Sequence, residues 1–498
     1  MSLRTEDRAV ALLGATCALA VVAVVAVTYF RAGTLFNLYD DAYITLRYAR
    51  NLATGNGLVF NVGQPTDAAS SLLYTLALAA CYRAGVHNLE AAAVAIGLAA
   101  LGSTVAVVYR SCLARAQHVA VAAFLATATG LCGMVSGWAT TGMETPLFVL
   151  LVTANVHRLF VRQSLDWWTA VLVCLAFLAR LEGSLLVVAY LILIADSWRQ
   201  APLPDRSTCA RQAGLVVLVV AGFVALKLHL YGTAVPHAFK FKTVSLMYRP
   251  NTDAVWSTWT SMALGLLVLG ASGLVMGAGR ARNLVLGGYV VASVLSVLVG
   301  PSADYARYSV HLVPVFAVMA SLPLARIALL SPTLALAICA LVGVQSERSY
   351  DEMVGFARGF SPHQACRRQV GRYIEEQIKP KTPVISSDIG GIAYAAPSAS
   401  FIDTIALTSS DILGRRTAGA GVDDILERAS EGYVADTCHG PCRNFADYSA
   451  QGRLVDENAW RSAVPESRFG NDFQPADALF ICHTSDGLGF AVSRFPRH

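Results

Sequence analysis

The stretch Asp40-Asp41-Ala42-Tyr43-Ile44-Thr45-Leu46-Arg47-Tyr48-Ala49-Arg50-Asn51-Leu52-Ala53-Thr54-Gly55-Asn56-Gly57 directly follows the first long apolar run of the chain. From Ala42 to Leu52 the apolar residues recur at helical spacing, and Gly55 and Gly57 end the pattern. The spacing predicts an amphipathic helix that lies in the membrane interface. Two adjacent carboxylates stand at the N-terminal end of this helix.

The composition around this stretch excludes an ordinary soluble protein. Of 498 residues, 55% are hydrophobic and 14% are charged, whereas soluble domains average about 25% charged residues. Apolar runs fill residues 1–344, and residues 345–498 have the mixed pattern of soluble protein. We therefore predict a polytopic α-helical membrane domain over 1–344 and a C-terminal α/β domain over 345–498. In the latter, Gln369 to Ile378 has helical spacing, Thr382 to Ser386 predicts a strand, and Gly390-Gly391 breaks the chain. A net charge of +5 without a block of Lys and Arg gives no reason to expect nucleic acid as a partner.

The apolar runs predict about eleven crossings of a hydrocarbon core of about 30 Å. The first, Val10 to Phe30, has no convincing cleavage site after it, so we expect a retained span rather than a signal peptide. Residues 69–84 are predicted to dip into the membrane without crossing, because a crossing there would put Arg110 and Arg115 on the other side. The further predicted spans lie near 91–109, 118–136, 146–160, 168–180, 182–195, 213–229, 258–277, 284–300, 311–327 and 329–344.

Positive charge in the short loops predicts the orientation, because cytoplasmic loops retain Lys and Arg. A cytoplasmic N terminus places the Arg-rich loops on one side. The opposite side then carries loops 31–68, 137–146, 230–257 and 301–310 and the C-terminal domain. We expect a multi-pass protein of the plasma membrane whose active site and C-terminal domain are extracytoplasmic.

The acid pair is the first candidate for chemistry. Adjacent carboxylates repel one another, so such a pair suits a general base or a site for a divalent cation. Asp residues at a helix N terminus are also common as caps. The spacing of Asp40 and Asp41 leaves both readings open.

Further acids and bases fall in or beside the loops on the same side. Basic residues there run against the charge bias, which indicates a task such as binding the phosphate of a lipid head group. Ordinary snorkelling of long side chains is the alternative. The candidates are Glu144, His237, Lys240, Lys242, Asp304, Arg307 and His311.

Arg180 and Glu182 interrupt an apolar stretch from Leu175 to Leu186. Charges in a span are costly unless they face a cavity or each other. We predict two short helices that meet at Arg180-Leu181-Glu182-Gly183. The two charges either bind substrate or form a structural ion pair.

The tail holds four cysteines. An exterior compartment favours disulfides, and Cys438-His439-Gly440-Pro441-Cys442 with Cys482-His483 is a weak zinc pattern. We therefore expect disulfides or structural thiols rather than a metal site. The four are Cys366, Cys438, Cys442 and Cys482.

Together these motifs resemble the GT-C superfamily of membrane glycosyltransferases, which take sugars from polyprenyl-phosphate donors. Within it they look most like the group of the mycobacterial terminal β-(1→2) arabinofuranosyltransferase. The resemblance covers nearly the whole chain. It rests on Asp41 to Asn61, Thr141 to Pro146, Arg180 to Gly183, Tyr231 to Lys242, Asp304 to Pro314, Asp388 to Tyr394 and Phe401 to Thr408.

The resemblance implies an inverting transfer of a sugar, D-arabinofuranose in this group, to a cell-envelope glycan, with membrane lipid around the site. Asp40 would be the catalytic base, and Asp41 would position the acceptor or help a divalent cation. Glu144 matches an acid of the second loop, and Lys242 and Arg307 match basic positions that hold the donor phosphate. No cofactor other than that possible cation is implied.

The chain departs from the pattern at two points. His237 stands where the group usually has Asn, and Ser302-Ala303-Asp304-Tyr305 replaces the usual Gly-Asp-Trp setting. Three other functions stay open: transfer of another sugar such as mannose to protein or lipid, a lipid-linked sugar flippase, and a non-catalytic glycan-binding or assembly protein. A flippase would favour internal repeats of the span pattern, which the sequence does not show.

Overall fold

The computed structural model describes residues 5–200, 202–235, 266, 268–273, 280–299, 307–386, 389–403, 408, 433–439, 478–483 and 488–494. The helices are α1 (Thr5–Arg31), α2 (Asp40–Ala53), α3 (Leu72–Arg83), α4 (Leu89–Ala116), α5 (Val119–Leu131), α6 (Gly133–Ala139), α7 (Thr145–Val156), α8 (Trp167–Ala179), α9 (Ser184–Gln200), α10 (Leu203–Tyr231), α11 (Arg280–Val299), α12 (Leu312–Leu330), α13 (Pro332–Gln377) and α14 (Gly391–Ala395). The strands are β1 (Pro383–Ser386), β2 (Ser400–Asp403), β3 (Tyr433–His439), β4 (Ala478–His483) and β5 (Leu488–Arg494).

Long apolar helices confirm the membrane fold. Among the described residues, five helices can cross a membrane, and the pair α5 and α6, bent by 57°, is a sixth candidate. The predicted span 258–277 lies mostly outside these residues, so the total of about eleven crossings stays a prediction. Helix α3 has 12 residues and is about 18 Å long. Helices α7 and α8, in the predicted spans 146–160 and 168–180, have 12 and 13 residues, so which of these segments cross stays a prediction.

Polar residues set the ends of several helices. The side chains of Ser71, Asn88, Asp166 and Ser331 each accept a hydrogen bond from the backbone N–H three residues later, which satisfies one of the unpaired donors at a helix start. Gly232, with φ of 68°, ends α10 in the left-handed conformation that favours glycine.

The predicted break at Arg180 is confirmed. Helix α8 ends at Ala179, a single 3-10 turn covers Leu181–Gly183, and α9 starts at Ser184. A Cβ atom at Gly183 would lie 2.4 Å from the carbonyl oxygen of Ala176. Only glycine therefore allows the chain to fold back this closely on the preceding helix.

Helix α13 joins the membrane helices to the C-terminal segment, by which we mean the described residues after Gln377. Its 46 residues correspond to about 69 Å. It includes most of the predicted span 329–344, whose first residues belong to α12 and to the cap Ser331, and most of the helix predicted over Gln369 to Ile378. The predicted domain boundary after Val344 thus falls inside one continuous helix. The boundary is a change in sequence composition rather than a break in the backbone.

The five strands form one mixed sheet that packs on α13, in the order β2-β1-β3-β5-β4. Strand β1 is parallel to β2 and β3, whereas β5 is antiparallel to β3 and β4. A disulfide between Cys366 on α13 and Cys482 on β4 ties helix to sheet, as expected for tail cysteines. The side chains of Cys438 and Cys442 lie outside the described residues.

Helix α2 is buried between two apolar cores. Nine of its 14 residues are buried. Tyr43 and Leu46 belong to the core of the membrane helices, while Ile44 and Tyr48 pack with the C-terminal segment. The predicted helix is confirmed, and the C-terminal segment covers one of its sides. Its location in the membrane interface stays a prediction.

The guanidinium of Arg47 links α2 to the C-terminal segment by hydrogen bonds. Arg47 is 1% exposed and lies against the rings of Phe60 and Phe401, 4.9 and 5.3 Å from their centroids. Burial lowers its pKa to about 9, because desolvation disfavours the charged form. It donates to the carbonyl oxygens of Phe60 at 2.9 Å, Ala396 at 3.0 Å, Ala399 at 2.9 Å and Ala393.

We predict that Arg47→Met loosens the C-terminal segment. Four carbonyl groups lose the hydrogen bond from Arg47, although Phe60 O keeps the one from Asn51 Nδ2 and Ala396 O the one from Ala399 N. The loss should cost about 3 kcal/mol of unfolding free energy. Thermal unfolding in detergent, followed by limited proteolysis of the C-terminal segment, measures the effect. Arg50→Met is the matched control, because Arg50 donates to the one carbonyl of Tyr394 at 2.9 Å; equal losses in both variants would contradict the prediction.

Candidate active site

Asp40 points toward the C-terminal segment. Its Oδ1 accepts hydrogen bonds from Gly391 N at 2.9 Å and Gln364 Nε2 at 3.1 Å, and its Oδ2 accepts one from Gly390 N at 3.2 Å. Arg367 Nε lies 3.7 Å from Oδ1. Both oxygens of Asp40 are thus engaged by groups from α13 and from the turn before α14, and its side chain is 19% exposed.

Gly390 is required by this contact. A Cβ atom at Gly390 would lie 2.4 Å from Cγ and Oδ2 of Asp40 and 2.2 Å from its carbonyl oxygen. Any larger residue would push the turn away from α2. The Gly390-Gly391 pair, predicted as a chain break, therefore serves as a close docking surface for the carboxylate.

Asp41 points the other way, toward the membrane helices. Its Oδ2 accepts a hydrogen bond from Nη1 of Arg307 at 3.0 Å, and its side chain is 40% exposed. The N-cap residue of α2 is Tyr39, and the two acids occupy the first helical turn after it. The recorded contacts of the pair are with other elements of the fold, which weakens the capping interpretation.

Glu144 lies behind Arg307 in the interior. Its Oε1 is 2.7 Å from Arg180 Nη1 and 3.5 Å from Arg307 Nη2, and its side chain is fully buried. A buried carboxylate needs such partners because desolvation of an unpaired charge is costly. Glu144 therefore orients the two guanidinium groups and does not itself face solvent.

Arg180 is held from both sides. Its Nη2 lies 2.7 Å from Oε1 of Glu182, and its Nη1 binds Glu144. The structural ion pair of Arg180 and Glu182 is confirmed and is part of a larger ion-pair network. A role of the two residues in binding substrate stays a prediction. The members of this ion-pair network, in order of contact, are Glu182, Arg180, Glu144, Arg307 and Asp41.

The remaining predicted residues divide into two groups. His311 is buried at the start of α12, with its ring edge-on to Phe148 and Tyr289 at 5.3 and 6.1 Å between centroids. His237, Lys240, Lys242 and Asp304 lie outside the described residues.

The possible divalent cation can be tested against the carboxylates that are described. Asp40 already accepts three hydrogen bonds, and Asp41 faces a guanidinium. Within the described ranges no three His, Cys, Asp or Glu side chains converge as metal ligands. The described residues of the site therefore do not provide a set of ligands for a divalent cation.

Several contributors were missed by sequence reasoning. Gln364 and Arg367 hold Asp40, but they come from a helix that starts in the membrane run, more than 300 residues later. A buried ion pair of 2.5 Å also joins Lys227 on α10 to Asp67 in the loop after α2. The signal for Lys227 was available, because a lysine inside an apolar run marks a paired or functional position.

Comparison with known proteins supports the fold. No family model matches the sequence, and no curated protein matches it. The structure of ArnT from Cupriavidus metallidurans bound to undecaprenyl phosphate aligns with a TM-score of 0.60 and 12% identity, over 95% of this chain and 97% of ArnT. The apo structure of the same protein gives 0.57 and 13% over 87% and 93%.

A third solved structure extends the comparison. The Archaeoglobus fulgidus oligosaccharyltransferase, in complex with Zn and sulfate, aligns with a TM-score of 0.55 and 13% identity, over 89% of this chain and 70% of that one. The chain has the GT-C fold. This confirms the predicted fold class. The ion-pair network described above is therefore part of a protein with this fold.

We predict that Glu144→Gln destabilises the protein strongly. The change leaves two buried guanidinium groups without their shared carboxylate, at an expected cost of about 3 kcal/mol. Asp41→Asn, which removes a half-exposed partner of the same Arg307, should cost less than about 1 kcal/mol. Thermal unfolding of both variants in the same detergent measures the difference, and a larger loss for Asp41→Asn would show that Glu144 is not the anchor.

Proposed function

We propose that this protein transfers a sugar from a polyprenyl-phosphate donor to an acceptor hydroxyl at the face that carries Asp40 and Asp41. The observation that carries the proposal is the contact between the exposed carboxylate of Asp41 and the guanidinium of Arg307. The two groups needed by such a transfer, a base and a cation for phosphate, thus lie side by side. The fold shared with a structure of ArnT bound to undecaprenyl phosphate supports this reading.

The proposed reaction is a single displacement with inversion. The acceptor oxygen attacks the anomeric carbon, the bond from that carbon to the phosphate oxygen breaks, and the carboxylate takes the proton of the acceptor hydroxyl. Polyprenyl phosphate leaves with its charge balanced by Arg307. Lys242 is proposed as a second cation for the phosphate, on the sequence resemblance alone.

The geometry favours Asp41 over Asp40 as the base. Both carboxylate oxygens of Asp40 are occupied by N–H donors of the fold, which leaves them poorly placed to take a proton from an acceptor hydroxyl. Asp41 has one oxygen on Arg307 and is twice as exposed, at 40% against 19%. Asp40 is then the residue that positions the pair beneath the C-terminal segment.

The identity of the sugar and acceptor rests on the resemblance. We propose D-arabinofuranose as the sugar and a cell-envelope arabinan as the acceptor. The positive-inside pattern supports a site on the extracytoplasmic face of the plasma membrane, where nucleotide sugars are absent and a lipid-linked donor is needed.

We predict that the purified protein forms product from polyprenyl-phosphate arabinofuranose and a short arabinan. Asp41→Asn should lower the rate about a hundredfold or more, as expected for loss of a general base. Asp40→Asn should lower it about tenfold or less, because the amide oxygen can still accept part of the hydrogen bonds. Product formation at saturating donor measures both, with Glu352→Gln on the exposed side of α13 as the matched control.

The ranking of the variants separates the alternatives. A larger loss for Asp40→Asn would return the role of base to Asp40. Full activity in both variants would exclude the acid pair as the source of a base. If wild-type protein forms product only with another polyprenyl-phosphate sugar, such as mannose, the class of reaction stands and arabinofuranose is excluded.

A further inference from the structure

A second group of basic side chains lies at the end of the helix bundle opposite the acid pair. Near the start of α4, Glu90 accepts a hydrogen bond from the hydroxyl of Tyr43 on α2 at 2.7 Å. Arg110 follows Glu90 by 20 residues along the same helix, which corresponds to about 30 Å. This is the thickness of a hydrocarbon core, so Arg110 lies near the membrane face opposite the acid pair.

A π turn brings Arg162 to the same end. Helix α7 continues into this turn over His157–Val161, and the N–H of Arg162 donates to the carbonyl oxygen of His157 at 2.8 Å. Nδ1 of His157 lies 2.9 Å from the hydroxyl of Ser111, the residue after Arg110. The imidazole interacts electrostatically with both arginines. The π turn, a rare feature that is frequent at functional sites, therefore groups the two arginines around one side chain.

The arginines at this end differ in what they already bind. Arg158 is engaged, because its Nη2 donates to Asp166 and its Nε donates to Oγ1 of Thr169 at 2.9 Å. Arg110 and Arg162 are exposed. Among the described residues, neither guanidinium makes a hydrogen bond or an ion pair. Two positive charges are thus available to an anion that approaches from outside the bundle.

Exposed aromatic side chains indicate the depth of this group in the bilayer. Asp166 caps the start of α8, and the two residues after it, Trp167 and Trp168, are 45% and 72% exposed. Tryptophan is enriched where the hydrocarbon core meets the head groups. Arg158 joins this helix start to the π turn through Asp166, so the basic group lies at the level of the lipid head groups.

We propose that Arg110 and Arg162 bind the phosphate of an anionic phospholipid in the leaflet opposite the acid pair. Arginine suits this role because its guanidinium presents parallel N–H donors to phosphate oxygens. A lipid fits this place better than a dissolved phosphate ion, since its acyl chains can cover the exposed rings of Trp167 and Trp168 while its head group reaches the arginines. The site is independent of the transfer reaction and of its donor.

The orientation rule alone also places arginines at this face, but it treats them as interchangeable. A binding site depends on particular side chains. Arg211 provides the comparison, because it is exposed near the start of α10, at the same end of the bundle. Its guanidinium donates within its own helix, to the carbonyl oxygen and hydroxyl of Ser207, both at 3.2 Å.

Binding of dioleoyl phosphatidylglycerol to the purified full-length protein in detergent, measured by native mass spectrometry, tests the proposal. Arg110→Gln and Arg162→Gln should each weaken binding about fivefold, and the double variant should weaken it more than about tenfold. Arg211→Gln, the matched control, should weaken binding less than about twofold. Phosphatidylcholine with the same acyl chains should bind the wild-type protein about fivefold more weakly, because its head group has no net charge.

The outcomes separate a site from a general attraction. Selective losses in the Arg110 and Arg162 variants, with weaker binding of phosphatidylcholine, support the site. Equal losses in Arg211→Gln and the double variant overturn it, and so does unchanged binding by the double variant or equal binding of the two lipids. Displacement of the lipid by excess inorganic phosphate at constant ionic strength would assign the arginines to a dissolved anion instead. Equal midpoints of thermal unfolding without added lipid verify that the variants fold.

Discussion

The guanidinium of Arg47 satisfies four backbone carbonyl groups in a place that water does not reach. Three of these carbonyls belong to the short segment from Ala393 to Ala399, and Arg47 itself lies in the middle of α2. A buried cation can stay charged there only because so many acceptors surround it. The membrane helices and the C-terminal segment therefore cannot separate without exposing this charge's partners, and α2 is fixed between them.

Fixing α2 decides what its first turn can do. Successive residues of a helix point about 100° apart, so Asp40 and Asp41 face different neighbours although they are adjacent in sequence. One carboxylate is taken up by the Gly390-Gly391 turn and Gln364, and the other meets Arg307. The two carboxylates therefore have separate surroundings and do not form one doubly charged site. Because they point in different directions, the repulsion expected between neighbouring carboxylates is reduced.

Local patterns in the sequence predicted the local structure well. The helix of Asp40–Ala53, the break at Arg180 and the strand Pro383–Ser386 each follow from spacing, charge or β-branched residues within one short window. The helix α13 was divided in two because its composition changes from apolar to polar near Val344, although nothing in the backbone interrupts it. Composition reports the surroundings of a helix and not its length.

The partners of the candidate residues could not be predicted in the same way. Asp40 and Gln364 are 324 positions apart, and no periodicity links such distant residues. Glu144 was predicted as a residue of the substrate site from its loop, but its burial depends on how α7, α8 and α12 pack. The burial of Arg47 could not be predicted either. A single Arg on a helix is usually exposed to solvent, and only the packing of a distant segment buries this one.

The distance in sequence between Asp40 and its glycine partners also has a consequence for biosynthesis. Gly390 follows Asp40 by 350 residues, and a ribosome adding about 5–20 residues per second needs roughly 20 to 70 s to cover that interval. During this time α2 stands in the growing protein without the turn that binds Asp40 and without the carbonyls that bind Arg47. Residues 40–47 and 390–399 must therefore meet before the acid pair acquires its final surroundings. A protein whose synthesis stops before Gly390 contains both acids but lacks the contacts that give them separate neighbours.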